Sequence, residues 1–479
     1  MKRKIRALVA STLLVGILAG CGGQTQPSSQ PSAAPAASPS TQPTATQEGS
    51  YPTVTTADVQ AALTDTNSVV VDARINSAYI GWTLEGVERG GHIPGATDFS
   101  ARWLTSTYSD TDNLEGETRA QVLEQYLVDK GIDSSKKVIV YDANGTDAVA
   151  VADYFASQGV TDISLYDVNE WAADESLEME SYPNYSLLVP AENVKALIDG
   201  QTPETFETGV EYKFFNVAWG EVDQSGYLDG HVPGAVHVNT DWFEPPSDNG
   251  WMLADDETLL ALMLRLGITA GDHIVVTGPE PMAACRFAVI LKYMGVDDVR
   301  VMTGGLVEWS DLGYELATDN VEPVAVESFG VDTPANPDWI DTIEEVQDLL
   351  TQDNFTLADN RTWEEFIGES TGYSYHDKAG RIPGAVFGYA GKVSSSSVCY
   401  YRNIDKTMRN ADEILAMWEG CGIDPSNHLS FMCGSGWRAA EILWYARVMG
   451  YENTSLYSDG WIGWSNAGLP SETGDPTAN

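Results

Sequence analysis

Gly91-His92-Ile93-Pro94-Gly95-Ala96 returns as Gly230-His231-Val232-Pro233-Gly234-Ala235 and again as Gly380-Arg381-Ile382-Pro383-Gly384-Ala385. Ala96 to Ala235 is 139 residues, and Ala235 to Ala385 is 150. A single Pro-Gly turn is weak evidence, because it marks many loops. Three copies at this spacing indicate three domain-sized repeats, since the period is too long for a solenoid unit.

The surroundings repeat too. Upstream of each copy lies a short strand-like run: Ser68 to Arg74, Lys213 to Ala218, and Phe355 to Arg361. Downstream comes an acidic helix closed near Gly131, Gly267 or Gly422, then a second apolar strand at Val138–Tyr141, His273–Thr277 or Leu429–Met432. A loop and a helix follow, closed at Gly159, Gly295 and Gly450, then a further strand and Trp171, Trp309 or Trp464. Continuous β-branched strands alternating with helices predict a parallel sheet covered on both faces. The chain of 479 residues is long enough for three such domains.

The ends of the chain differ from its body. Lys2, Arg3, Lys4 and Arg6 precede a short apolar run ending in Leu18-Ala19-Gly20-Cys21. The run is too short to span a bilayer and reads as a signal peptide over 1–20. The Cys resembles that of a bacterial lipobox, which implies cleavage before Cys21, its acylation, and an extracytoplasmic protein held to the cell membrane by lipid alone. Residues 21–50 are rich in Ser, Pro, Thr, Gln and Ala and read as a disordered tether. Seventy acids against 26 Lys and Arg give a formal net charge of −44, which argues against nucleic acid as a partner. The five cysteines (Cys21, Cys285, Cys399, Cys421 and Cys433) form no CxxC pair and match no zinc spacing. A Cys399–Cys421 bridge stays open.

Asp-x-Arg (Asp72 to Arg74, Asp359 to Arg361), the GHIPGA turn and the closing turns Thr303-Gly304-Gly305 and Ser458-Asp459-Gly460 together resemble the rhodanese family over nearly all of residues 52 to 472. The resemblance implies an α/β fold of three tandem rhodanese-like domains, each a small central parallel sheet flanked by helices. They are placed at 52–180, 190–320 and 336–472. In that family the nucleophilic cysteine opens a loop of the form Cys-x-x-Gly-x-Arg between strand and helix. The third repeat supplies Cys433-Gly434-Ser435-Gly436-Trp437-Arg438. Counting back from Gly159 and Gly295, the cysteine slot falls on Asp142 and Gly278, and the arginine slot on Asp147 and Ala283. Repeats one and two are therefore expected to be inactive, with Cys285 a core side chain.

The chemistry gives reasons for these residue types. Sulfur transfer needs a thiolate, and an ordinary thiol has a pKa of about 8.5. Loop amides and a helix start stabilise the negative sulfur. Gly434 and Gly436 permit the tight turn, and Arg438 either pins the cradle or pairs with an anionic donor. We therefore expect Cys433 as the catalytic nucleophile. Gly434, Ser435, Gly436, Trp437, Arg438 and Arg361 are the expected substrate-binding residues, with Asp359 in support. Asp359 and Arg361 read equally well as a structural ion pair, and Arg381 and His231 as turn residues.

The implied partners are a small anionic sulfur donor and a thiophilic acceptor such as cyanide or a thiol, with no metal or organic cofactor required. Thiosulfate is the expected donor and 3-mercaptopyruvate the alternative, because the loop opens with Cys-Gly-Ser-Gly and then departs to Trp437-Arg438. A non-catalytic sulfur-binding or envelope-interaction protein stays open, since two of the three repeats lack the nucleophile. A related phosphatase is disfavoured, because only four residues separate Cys433 from Arg438.

Overall fold

The run Val69-Val70-Val71 suits a strand whose two faces are both covered. It forms the second position of the first sheet in a computed structural model that describes residues 51–107, 115–247 and 250–478. The assigned signal peptide, Cys21 and the tether lie outside these residues. No described helix is long and apolar enough to cross a membrane.

Each repeat carries one parallel sheet with the same strand order. In the first it runs Thr97–Asp98, Ser68–Asp72, Lys137–Asp142, Asp162–Asp167, and Thr53 bridges to Leu165 at the far edge. In the second it runs Val236–Asn239, Tyr212–Ala218, His273–Thr277, Asp298–Met302, Leu188–Val189. In the third it runs Val386–Phe387, Phe355–Asp359, His428–Met432, Thr454–Tyr457, Ile340–Asp341. The register also repeats. Asp72 pairs with Tyr141, Asn216 with Thr277, and Asp359 with Met432. The next residue on each central strand is then Asp142, Gly278 or Cys433, which aligns the three slots independently of the loop glycines.

The chain leaves the two middle strands in opposite directions across the sheet. A crevice therefore opens at their carboxyl ends, where α/β sheets bind ligands. Cys433 lies at this switch point. Its helix, Trp437–Val448, packs against Pro281–Met294 of repeat two. Both helices are buried on nearly every side, because each is enclosed between its own sheet and the other repeat. Repeat one is tied to repeat three by Lys130, whose ammonium bonds Asp98 at 2.7 Å and Glu413 at 2.5 Å. Cys285, Cys399, Cys421 and Cys433 are all free thiols, so Cys399 and Cys421 are not bridged.

Candidate active site

The central strand of repeat three ends at Met432 and its helix begins at Trp437, which leaves four residues to turn the chain. The Gly436 amide donates to Cys433 Sγ at 3.2 Å. Gly436 has φ +95°, a conformation side chains disfavour. At Gly434 a Cβ would stand 2.1 Å from the Tyr373 hydroxyl, so only glycine fits beneath that ring. The loop is fastened from behind, where the Trp461 amide donates to the Cys433 carbonyl at 2.8 Å and Ile462 to that of Gly434 at 3.0 Å. Cys433 is 1% exposed, so the thiol is buried.

Arg438 does not present a free cation to the crevice. Its two terminal nitrogens donate to Glu365 at 2.8 and 2.9 Å, and Nη2 also donates to the Tyr373 hydroxyl at 2.9 Å. Burial alone would raise the Glu365 carboxyl, but Arg438 outweighs it and holds it at about 2. Of the two roles open to Arg438, its bonds match pinning of the cradle. Its charge is met by Glu365, and its Nε is buried without a partner.

Arg361 is paired in the same way. Its Nε and Nη2 bond Asp359 at 2.7 and 2.6 Å, and Nη2 holds the Gly380 carbonyl at 2.8 Å. Arg74 does the same with Asp72 and Gly91 in repeat one. The motif is a fully buried clamp between the first strand and the GHIPGA turn, present with or without a nucleophile. Arg381 donates to the Gly474 carbonyl and to Glu472, and His231 Nδ1 meets the Tyr227 carbonyl at 2.9 Å, so both act locally.

Repeat two reaches into this site. The Trp437 indole donates to Glu244, and Arg286 donates to the other oxygen of Glu244 at 2.7 Å and to the Ser458 hydroxyl at 2.6 Å. Trp437 is thus partly committed to repeat two. Trp251 meets Tyr375 edge-on at 5.1 Å, and Tyr375 lies 5.3 Å from Tyr373. Burial, then the nearby Cys433 and Glu244, push the Tyr375 hydroxyl up to about 12. Sequence reasoning missed Glu365, Tyr373, Tyr375, Glu244 and Arg286. Only Glu365 left a local signal, as the fourth residue of the capping box Thr362-x-x-Glu365.

The other two slots are filled differently. In repeat one Asp142 Oδ2 accepts the Ala148 amide at 2.9 Å. Nearby Glu85 is pushed up to about 7, mainly by burial, with Arg74 opposing. In repeat two Gly278 fills the slot, and Glu280 beyond it is held at about 2 by Arg402 and Lys406 in spite of burial. Cys285 is buried on its helix and burial pushes its thiol well up.

Comparison with known proteins agrees with this architecture. The rhodanese-like domain model matches residues 55–174, 188–312 and 342–467. The thiosulfate sulfurtransferase YnjE of Escherichia coli K12 is 34% identical over 403 residues, covering 84% of this chain and 87% of that protein. The 3-mercaptopyruvate sulfurtransferase of the same organism is 26% identical over 249 residues, 51% of this chain and 84% of the relative. Among solved structures, the anaerobic ergothioneine biosynthesis enzyme of Chlorobium limicola, in complex with trimethyl histidine, superimposes with a TM-score of 0.81. It is 32% identical, and the match covers 89% of this chain and all of that one. A structure of EanB bearing a cysteine persulfide matches with a TM-score of 0.81 at 31% identity over 88% of this chain and all of that one. The chain belongs to the rhodanese family and is a sulfurtransferase built of three rhodanese-like domains in tandem.

Proposed function

We propose that the protein moves a sulfane sulfur through a persulfide on Cys433, with thiosulfate as donor and a thiophile as acceptor. The observation that carries this reading is the Gly436 amide directed at Cys433 Sγ at the start of a twelve-residue helix. The Cys433 thiolate attacks the outer sulfur of thiosulfate. The S–S bond breaks, sulfite leaves with its electron pair, and Cys433 carries the persulfide. The acceptor then attacks the outer sulfur and the thiolate returns, which is covalent catalysis with ping-pong kinetics. With 3-mercaptopyruvate the leaving group is pyruvate.

Glu365, through Arg438, supports the loop, and Asp359, through Arg361, holds the strand and turn beside it. Gly434, Ser435 and Gly436 line it. No cation stands unpaired beside the sulfur among the residues described above, so recognition of an anionic donor falls to loop amides and to the Ser435 and Tyr373 hydroxyls. The test is a donor screen followed by mass spectrometry. Thiosulfate should add about 32 Da, one sulfur, to the peptide carrying Cys433 and to no other. Sulfur on Cys399 or Cys421 would overturn the assignment.

A second reading of the acceptor rests on the aromatic wall of Tyr373, Tyr375 and Trp251. Such rings suit a quaternary ammonium group, and the Chlorobium relative is described with trimethyl histidine as its substrate. Transfer of sulfur from the loaded protein to trimethyl histidine, but not to cyanide, would favour it.

The location we propose is extracytoplasmic, with acylated Cys21 as the only anchor. Cys21→Ala should then leave the protein soluble or unprocessed. A processed variant that still sediments with membranes would exclude the anchor.

A further inference from the structure

Repeat two, one of the two repeats without a nucleophile, places a buried ion pair against the active loop's surroundings. Glu244 and Arg286 both belong to repeat two and are 1% and 0% exposed. Each reaches a different element beside the third repeat's loop. Glu244 takes the indole of Trp437, the first residue of the catalytic helix, and Arg286 takes the hydroxyl of Ser458. Arg286 Nη1 is buried without a partner, and a Cβ built on Gly436 would come within 3.0 Å of it. Gly436 is the residue whose amide meets Cys433 Sγ. A fixed cation therefore lies against Gly436, and its counter-charge holds the indole of the next residue, Trp437.

We propose that Glu244 and Arg286 are positioning residues for sulfur transfer at Cys433, so that repeat two sets both the place of the Gly436 amide and the field felt by the sulfur. The proposal rests on Cys433 as nucleophile and adds a role for the repeat that carries none. The other groups facing Cys433 are already matched or neutral. Arg438 is paired with Glu365, Arg361 with Asp359, and Tyr373 and Tyr375 are held protonated by burial. Asp459 also feels Arg286, and its carboxyl is raised by burial. Burial likewise raises Glu244, opposed by Arg286 and Trp437. Removing either member of a buried pair leaves the other charge uncompensated. The two removals therefore act on the sulfur with opposite sign.

The test is the pH profile of Cys433 alkylation by iodoacetamide, an uncharged reagent, read on the Cys433 peptide of the full chain. Glu244→Gln should move the midpoint down by about one pH unit, and Arg286→Gln should move it up by about one. Arg286→Lys, which keeps the cation, should restore the midpoint towards wild type. Shifts of the same sign, or none in folded variants, would overturn the proposal, since mere loosening of the loop has no reason to change sign. If Arg286→Gln does not fold, Glu244→Gln against Arg286→Lys decides: equal midpoints overturn it and a lower midpoint for Glu244→Gln supports it. The assay uses no sulfur donor. Opposite shifts in a Cys433 that gains no sulfur from thiosulfate would support the clamp and remove the nucleophile assignment.

Discussion

The loops at Asp142 and Cys433 share one scaffold and differ in what fills it. Both follow the central strand at the same register and both open a helix. In repeat three a sulfur accepts the Gly436 amide at 3.2 Å, and in repeat one a carboxylate oxygen accepts the Ala148 amide at 2.9 Å. In either case the turn offers a backbone amide to the side chain in the slot. Repeat one satisfies it permanently with its own side chain, whereas repeat three fills it with a group that can attack. The partners of the loop differ as well. Arg438 and Glu365 stand where repeat one has Asp147, with Glu85 nearby. The nucleophile and the charges around it changed together.

The largest expected effect lies in the slot itself. Cys433→Ser should abolish both turnover and the added sulfur, because a hydroxyl forms no persulfide. Cys433→Asp should copy repeat one, folding with a carboxylate on the loop amides and transferring nothing. The reciprocal Asp142→Cys should not create a second site, since Asp147 and Glu85 oppose a thiolate there. A sulfur found on that cysteine after incubation with thiosulfate would break the comparison.

Arg438 comes next. Arg438→Ala leaves Glu365 buried without its partner, a change that costs about 3–5 kcal/mol. Thermal unfolding should show that loss, and persulfide formation should slow because Tyr373 and the loop lose their common anchor. Undiminished stability would mean that Glu365 finds water or another donor.

How much of this was legible in the sequence follows from the range of each interaction. The equivalence of Cys433, Asp142 and Gly278 was legible because strand, loop and helix are contiguous and repeat in register. The Asp-x-Arg motif was legible as a motif, and its occurrence in repeat one already pointed to the clamp that Arg361 and Gly380 form. The partners of Arg438 and Trp437 were not legible. Tyr373 and Tyr375 sit in an irregular stretch without periodicity, and Glu244 and Arg286 lie 193 and 172 residues from the Trp437 and Ser458 they bond. Glu365 was not legible as the partner of Arg438, because spacing records charge and not the fold that brings a carboxylate 73 residues away to it.

A smaller effect belongs to Glu85. Its folded carboxyl is raised to about 7 above an ordinary 4.5. The proton is held more tightly in the folded state, so this contribution is complete below about pH 4.5 and is lost as pH rises through 7. Glu85→Gln carries no such titration. Unfolding of wild type should weaken by about 2 kcal/mol between pH 4.5 and 7 relative to the variant. Parallel curves would show that Arg74 keeps Glu85 ionised throughout.

The smallest effect is expected at Asp142, and it tests whether repeat one takes part at all. Asn at this position keeps an oxygen for the Ala148 amide and discards the charge. Burial raises the Asp142 carboxyl, while the Ala148, Gly145 and Asp147 amides partly offset that. With the folded value raised, ionisation works against folding at neutral pH, and Asp142→Asn should be the more stable chain there. The gain should vanish as pH falls towards the ordinary carboxyl range. The three amides offset much of the burial, so the gain should stay below about 1 kcal/mol. Sulfur transfer should remain within about twofold of wild type, because Cys433 carries the covalent step alone. A tenfold fall in turnover with the fold intact would show that the carboxylate of repeat one is felt at Cys433, and that its loop is not merely a filled copy.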